Sequence, residues 1–519
     1  MTEHSPRTSL LRLVRPRPAR TALSRRAFLG GGAGVALAGV LGTNTPSGAS
    51  LKLPQPVSAV PSELASVLKP DPAQQAALDA LGRATLRVPG SVPDPSLAAG
   101  TDTMPGIEHI VVVMLENHSF DNILGMLPGV DGWTLDAFGN PTATNPYGNG
   151  TIQHAFRMPT TCQLPHQPSQ EWRASWTAYN DGNMNGFVSA PISPSISGIV
   201  GGVAMGYWTS EDLPFIYSLA DTFAVADRWF GSCLGQTDPN RRYLVAGTSS
   251  GMTDDISLST SVSPGTLVQD ALLATPTPTI FDILTAFDIP WVDYTESFPL
   301  GESAQLDTTG DAVVGTLYEK PVADFYTDAA AGTLPSFCIV EPNYGTQSQE
   351  NPQNMSLGEA FLAKVVHAIG ASPTWERTVL IFTYDEHGGY YDHVPPPPAL
   401  KPDLIEPIVQ PGESTYEGFG RFGVRVPGVL VSAYAKKGNY VSSKVYDHTS
   451  ILALVERKWN LPALTFRDAN ANDLTDMIDL EALAEKSPTF TSLPTLAAPG
   501  NFPTVSPGTI PPAGTVTPG

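Results

Sequence analysis

Thr378-Val379-Leu380-Ile381-Phe382-Thr383-Tyr384-Asp385-Glu386-His387-Gly388-Gly389-Tyr390-Tyr391-Asp392-His393-Val394 is the stretch whose reading decides the fold. Its first half is an apolar, β-branched and aromatic run of one strand's length, with no polar alternation to mark a wet face. The run stops at Asp385 and Glu386. Adjacent carboxylates at the carboxyl end of a buried strand, followed by a Gly-Gly turn, lie where open parallel sheets keep their ligand sites. They repel and raise one another's pKa, so the pair is tolerable with a cation between them. The competing reading is a solvated loop end with two surface acids, and the rest of the chain decides between the two.

A second buried strand is expected over Glu108 to Leu115, and it also ends in oxygen ligands, Glu116 and Asn117, before Ser119 caps a short helix. If the two strands are parallel neighbours, these residues complete an oxygen-rich metal site with Asp385 and Glu386. Ser336 to Val340 reads as a strand, Ser356 and Glu359 as a capping box opening a helix with an apolar stripe, and the Thr378 strand comes next. That order predicts a right-handed parallel crossover. Further strands are expected over 222–226, 291–294 and 424–433, and an amphipathic helix over 449–459. Asp238-Pro239 predicts a helix start, with Asp238 as cap and Thr237 just ahead of the free amides, where a phosphoryl group is favoured and a hydroxyl pKa falls.

Composition bounds the partners. Lys+Arg 29 against Asp+Glu 50 give a formal charge of -21, which argues against non-specific binding to nucleic acid or anionic membrane. Residues 1–26 carry seven arginines and one Glu and end in Ser24-Arg25-Arg26-Ala27-Phe28-Leu29, ahead of the weakly apolar Gly30–Gly42. This reads as a twin-arginine signal over 1–49, handled by the twin-arginine export machinery, with the product secreted or in the cell envelope. The apolar part is too short and glycine-rich for a stable membrane span. A Pro-, Ala- and Ser-rich lead-in occupies 50–106, the catalytic domain 107–480, and a Pro/Thr/Gly-rich tail 481–519. Cys162, Cys233 and Cys338 are too few and too dispersed for a disulfide scaffold or zinc knuckle.

Leu115-Glu116-Asn117-His118-Ser119-Phe120-Asp121 resembles the Glu-Asn-x-Ser-Phe-Asp signature of the bacterial phospholipase C and acid phosphatase type phosphoesterases, whose fold is similar to alkaline phosphatase. Met205 to Thr209 with Asp212 to Phe215, Thr237 to Arg241, Asp385 to Gly389 with Asp392-His393, and Tyr446 to Ser450 resemble later blocks of the same family, in order. The resemblance implies an α/β class, an α/β/α sandwich with a mostly parallel central sheet. It also implies one divalent metal ion on Glu116, Asn117, Asp385 and Glu386, Thr237 as nucleophile, and His166 and His393 as site histidines. Oxygen-only ligands favour calcium, magnesium or manganese, with zinc and iron still open. The implied substrates are phospholipids such as phosphatidylcholine, cut to diacylglycerol and a phosphorylated head group, with phosphomonoesters as the alternative. Tyr390 and Tyr391 read either as a choline-facing wall or as a packed pair. One position departs from the family: Asn351-Pro352 stands where a His-Pro pair is usual, and Asn cannot serve as acid or base. That departure motivates a rival reading, a secreted phospholipid- or phosphate-binding protein without catalysis.

Paired arginines ahead of a weak apolar stretch select the route for folded proteins. Changing Arg25 and Arg26 to Lys together is expected to leave the protein in the cytoplasm, read by fractionation; unchanged export removes the assignment.

Overall fold

The computed structural model describes residues 70–147, 150–163, 168–190, 201–255, 278–296, 318–351, 353–409, 412–437 and 439–500. The leader, residues 50–69 of the lead-in and the tail beyond residue 500 lie outside them, as does His166.

Strands His109–Leu115 and Thr378–Tyr384 lie side by side near the middle of an eight-stranded sheet, and every residue of both is buried. Branched and aromatic side chains fill both faces, which is why neither run alternates. Across the sheet the order is Val441–Ser442, Ala224–Ala226, Gly428–Ser432, Thr378–Tyr384, His109–Leu115, Phe337–Glu341, Trp291–Thr295 and Glu319–Lys320. All pairings are parallel except the two made by Gly428–Ser432. The strand expected over 424–433 thus shortens to Gly428–Ser432, because Pro427 has no N–H for a ladder.

Helices Pro214–Thr222, Val322–Ala331 and Met355–Gly370 pack into one layer, and Thr237–Ala246, Ile280–Ala286, Thr449–Trp459 and Phe466–Asn470 into the other. The result is the expected α/β/α sandwich with a mostly parallel sheet. The crossover through Met355–Gly370 joins two strands that are not adjacent, since His109–Leu115 lies between them.

The capping-box reading of Ser356 and Glu359 is corrected. The helix starts at Met355, its cap is Asn354, and the Asn354 side chain accepts from Ser356 N at 3.0 Å. Glu359 instead reaches across the layer and accepts from Phe215 N at 2.8 Å and Ile216 N at 3.1 Å. Those amides open the Pro214–Thr222 helix, whose own N-cap is Leu213 and has no side-chain oxygen to offer. The second Glu359 oxygen accepts from Gly500 N at 2.8 Å.

Both ends of the described chain are tied down. Asn460 donates to the carbonyls of Asp94, Leu97 and Ala98 at 3.0, 3.1 and 3.2 Å. Trp375 donates through its indole to Phe490 O at 3.0 Å. Cys162, Cys233 and Cys338 are buried and unpaired. No helix among the described residues is long and apolar enough to cross a membrane.

Glu359→Ala strands buried amides of the Pro214–Thr222 helix and is expected to cost about 2–3 kcal/mol in urea unfolding. Glu359→Gln keeps an acceptor and is expected to recover most of it; equal losses in the two variants would show that charge, not acceptance, is what the helix needs.

Candidate active site

The register fixes the site. Leu115 pairs with Tyr384, so the next residues, Glu116 and Asp385, emerge from adjacent strand ends. The ladder runs one step further, with Asp385 N donating to Leu115 O at 3.1 Å. Asp385 Oδ1 accepts from Glu386 N at 2.7 Å, and Glu386 Oε2 accepts from Gly388 N at 2.7 Å. Gly388 has φ +62, and a Cβ there would stand 2.0 Å from Asn117 O. Only glycine lets the Glu386 turn press against the Glu116-Asn117 turn. Glu116, Asn117, Asp385 and Glu386 are therefore brought together, all buried.

Thr237 is the first residue of the Thr237–Ala246 helix, whose N-cap is Gln236. Asp238 is therefore not the cap expected from sequence; its own N–H donates to Asp255 Oδ1 at 2.7 Å. The Thr237 hydroxyl hydrogen-bonds Asp385. One turn on, on the same helical face, Arg241 sets Nη2 3.1 Å from Glu116 Oε1 and Nε 3.3 Å from Asp385 Oδ2, and donates through Nη1 to Tyr344 Oη at 2.8 Å. Asn240 shapes the approach to Thr237. Its Oδ1 accepts from Ser232 N at 2.7 Å and Cys233 N at 3.1 Å, while Nδ2 donates to Gly235 O at 3.0 Å and Gln236 O at 2.9 Å. His448 steadies Asp385 from behind: the Trp229 indole donates to Nδ1 at 3.4 Å, so Nε2 carries the proton and donates to Asp385 O at 2.6 Å.

Charge accumulates there. Burial pushes Glu116 up to about 8, with Glu350 adding to the rise and Arg241 opposing it. Asp385 is likewise pushed up to about 8 by burial, against Arg241 and with Glu116. Glu386 is raised well above the usual carboxylate range by burial and then by Asp385. Glu350 hydrogen-bonds Glu116, and Asp255 is raised by burial and then by the charges of Asp238, Asp385 and Glu116. Each buried carboxylate without a counter-charge costs several kcal/mol, and Arg241 is one guanidinium among many acids. His387 and His448 do not make up the deficit, since burial lowers them to about 3 and about 4. Among the described residues both side-chain atoms of Asn117 and Glu386 Oε1 are buried with no hydrogen-bond partner. Unused oxygen ligands in an acidic, cation-poor site fit a divalent ion.

His393 belongs to a separate cluster. Nδ1 lies 2.7 Å from Asp121 Oδ2 and Nε2 3.2 Å from Asp131 Oδ1. Asp121, Asp392 and His393 have the spacing of a metal site. The buried Arg425 already fills that role, with Nε 2.8 Å from Asp392 Oδ1 and Nη2 3.2 Å from Asp121 Oδ1. Burial lowers His393, but the hydrogen bond and charge of Asp121 outweigh it and lift the ring to about 9. Arg425 and a protonated His393 offset Asp121 and Asp392, with the half-exposed Asp131 a third acid on His393 Nε2.

Tyr390 packs against His118, with ring centroids 4.8 Å apart, and donates to Gln163 Oε1 at 3.0 Å; Tyr391 stacks on Trp133 at 5.4 Å. They are packed pairs and not a head-group wall. Asn351 is half-buried in the loop that brings Glu350 to Glu116. Sequence reasoning assigned no role to Arg241, Asn240, Glu350, Asp255 or Arg425. The four-residue spacing of Thr237 and Arg241 was a usable signal; Glu350 and Asp255, on irregular loops, gave none.

The His393 pair has a pH signature. A pKa raised from 6.5 to about 9 contributes stability that is fully present below about 6.5 and is lost as pH rises through 9. Between pH 7 and 10 the wild type is expected to lose about 2 kcal/mol more than His393→Gln in urea unfolding, the figure discounted for partial exposure. Parallel curves for the two proteins would leave the Asp121–His393 pair without energetic weight.

Residues 107–462 match the model of the phosphoesterase family. Non-specific phospholipase C6 of Arabidopsis thaliana is 31% identical over 397 residues, covering 72% of this chain and 72% of the plant protein. Phospholipase C A of Mycobacterium tuberculosis is 27% identical over 83% of this chain and 89% of its own. Among solved structures, a protein in the alkaline phosphatase superfamily from Vibrio parahaemolyticus covers 73% of each chain at 9% identity and a TM-score of 0.33, a likeness that adds nothing to the sheet order described above. With a family model spanning the sheet, both acidic strand ends and the Thr237 helix, the chain belongs to the phosphoesterase family and is a hydrolase of phosphoric esters.

Proposed function

We propose that the protein is a phospholipase C that cuts phosphatidylcholine-type lipids to diacylglycerol and a phosphorylated head group, through a phosphothreonine intermediate on Thr237. The observation that carries this reading is the Thr237 hydroxyl, hydrogen-bonded to Asp385 at the first turn of a helix whose next turn delivers Arg241 to Glu116 and Asp385. The named activities of the plant and mycobacterial relatives support the lipid substrate. Residues Ser24 to Leu29 support export by the twin-arginine route.

The Thr237 oxygen forms a bond to phosphorus in line with the departing diacylglycerol oxygen, whose bond to phosphorus breaks. The hydroxyl proton leaves along the existing hydrogen bond toward Asp385. His393, protonated at neutral pH and held by Asp121 through Nδ1, donates from Nε2 to the leaving alkoxide once the Asp131 contact opens. His166, outside the described residues, is assigned to hydrogen bonding of the phosphoryl oxygens. Water then cleaves the phosphothreonine and regenerates Thr237. Glu116, Asn117, Asp385 and Glu386 would hold one divalent ion, which would supply positive charge to the phosphate oxygens and lower the hydroxyl pKa. The unbonded Asn117 and Glu386 atoms support that ligand set.

Thr237→Ala is expected to lower turnover on phosphatidylcholine on the order of a thousandfold or more while the fold survives. A chiral thiophosphate ester followed by phosphorus NMR is expected to show retention at phosphorus, the outcome of two successive in-line displacements. Inversion in the wild type would take Thr237 out of the nucleophile role, and faster turnover of p-nitrophenyl phosphate than of phosphatidylcholine would move the substrate class to phosphomonoesters.

A further inference from the structure

Arg425 is completely buried, and its contacts extend well beyond the acids it neutralises. Nη1 donates to Asp131 O at 2.8 Å and to Asp227 O at 2.7 Å, and the guanidinium lies 4.6 Å from the centre of the Phe120 ring. Its own carbonyl accepts from Phe120 N at 3.0 Å. Asp121 N donates to Asp392 Oδ2 at 3.2 Å and His393 N to Asp121 Oδ2 at 2.9 Å, so the acids that Arg425 bridges also cap one another's backbone. Asp121 lies in the short helix Phe120–Leu124 that follows the Glu116-Asn117 strand end, and Asp392 in the loop that follows the Asp385 strand end.

The residues flanking Arg425 hold the third part of the site. Val426 N donates to Trp229 O at 2.8 Å, Gly231 N to Val424 O at 3.0 Å and Gly423 N to Gly231 O at 2.7 Å. Gly231 opens the turn that Asn240 folds onto Thr237, and Trp229 is the indole that sets the His448 ring on the Asp385 carbonyl. One residue thus ties together, through its side chain, the segments that follow both acidic strand ends, and the nucleophile's turn through its neighbours' backbone.

We propose that Arg425 is a positioning residue for phosphoester hydrolysis: a built-in cation, standing where Asp121, Asp392 and His393 have metal-like spacing, that holds Thr237 and the Glu116 and Asp385 turns in one geometry. A planar fork fixes the relative orientation of two carboxylates and two carbonyls, which a point charge does not. Displacement of the reacting groups by about 1 Å costs on the order of a hundredfold in rate, and loss of the contacts behind metal ligands costs roughly ten- to a hundredfold in affinity. The metal arm rests on the ligand set proposed above.

The test uses Arg425→Lys and Arg425→Met in the full chain, with p-nitrophenyl phosphorylcholine turnover, manganese(II) calorimetry and urea unfolding on each. The expected result is kcat lower by about a hundredfold with KM within about threefold, and manganese affinity lower by about tenfold, in protein that still unfolds cooperatively. Should both variants fail to fold, Asp392→Asn, which weakens one side of the fork, is expected to show the same split in smaller measure. A lower unfolding midpoint with kcat and manganese affinity within about twofold of wild type would reduce Arg425 to a structural ion pair and overturn the proposal. So would loss of manganese in Asp392→Asn together with its retention in Asp385→Asn, since the cluster would then be the metal site. Wild-type protein that takes up no manganese sinks the ligand-set reading alone, and the kcat arm still decides the role of Arg425.

Discussion

The parallel pairing of His109–Leu115 with Thr378–Tyr384 is the constraint on which the site depends. Two fully buried strands in register must end together, and each runs directly into acid, Glu116 in one case and Asp385 in the other. The driving force for the pairing is hydrophobic, about 1.5–3 kcal/mol for each large side chain removed from water. That gain is spent in part on an unfavourable outcome, carboxylates gathered where water cannot reach them. Arg241, the Thr237 hydroxyl, the Gly388 turn and the His448 ring are each arranged around that outcome, as counter-charge, hydrogen-bond donor, close-packed turn and backbone support.

The two acidic clusters at this end of the sheet differ in how their charge is met. Asp121 and Asp392 face Arg425 and His393, and their oxygens are all engaged by guanidinium, imidazole or backbone N–H. Glu116 and Asp385 share Arg241 with Glu350, and Glu386 Oε1 and the Asn117 amide make no hydrogen bond among the described residues. Spacing alone favours the first cluster as a metal site, whereas charge balance and unused ligands favour the second. Charge weighs toward the second, because a divalent ion in the first would compete with Arg425 and His393, cations already held there by short contacts.

The features legible in the sequence were local. The two central strands announce themselves by unbroken burial, the Thr449–Trp459 helix by its stripe, and the acids by their place directly after strands. The direction of Gly428–Ser432 was not readable, since an apolar run carries no mark of orientation. Glu359 was misread because an acid three residues after a serine looks the same whether it caps its own helix or another's. Arg425 lies 304 residues from Asp121, and no pattern in the intervening chain signals that they meet. Arg241 was within reach: a helix beginning at Thr237 carries it on the same face, and only the misplaced cap at Asp238 hid the spacing.

Asn351 sharpens the question of where protons come from. With no titratable group at that position, the family's usual histidine has to be replaced or dispensed with. His118 is sealed among Trp208, Tyr384 and Tyr390 and lowered to about 4 by burial. His387 and His448 are buried and neutral for the same reason, and His109 bonds Pro335 O at the opposite end of its strand. His393 differs from all of them in having a carboxylate on Nδ1 strong enough to reverse the burial effect, and a ring that is not sealed from solvent. An imidazole held at about 9 is almost wholly protonated at neutral pH, which suits a donor to an alkoxide and unsuits a base. The departure at Asn351 therefore does not by itself argue for a binding protein, because the same loop that carries Glu386 also delivers a charged histidine fixed by Asp121.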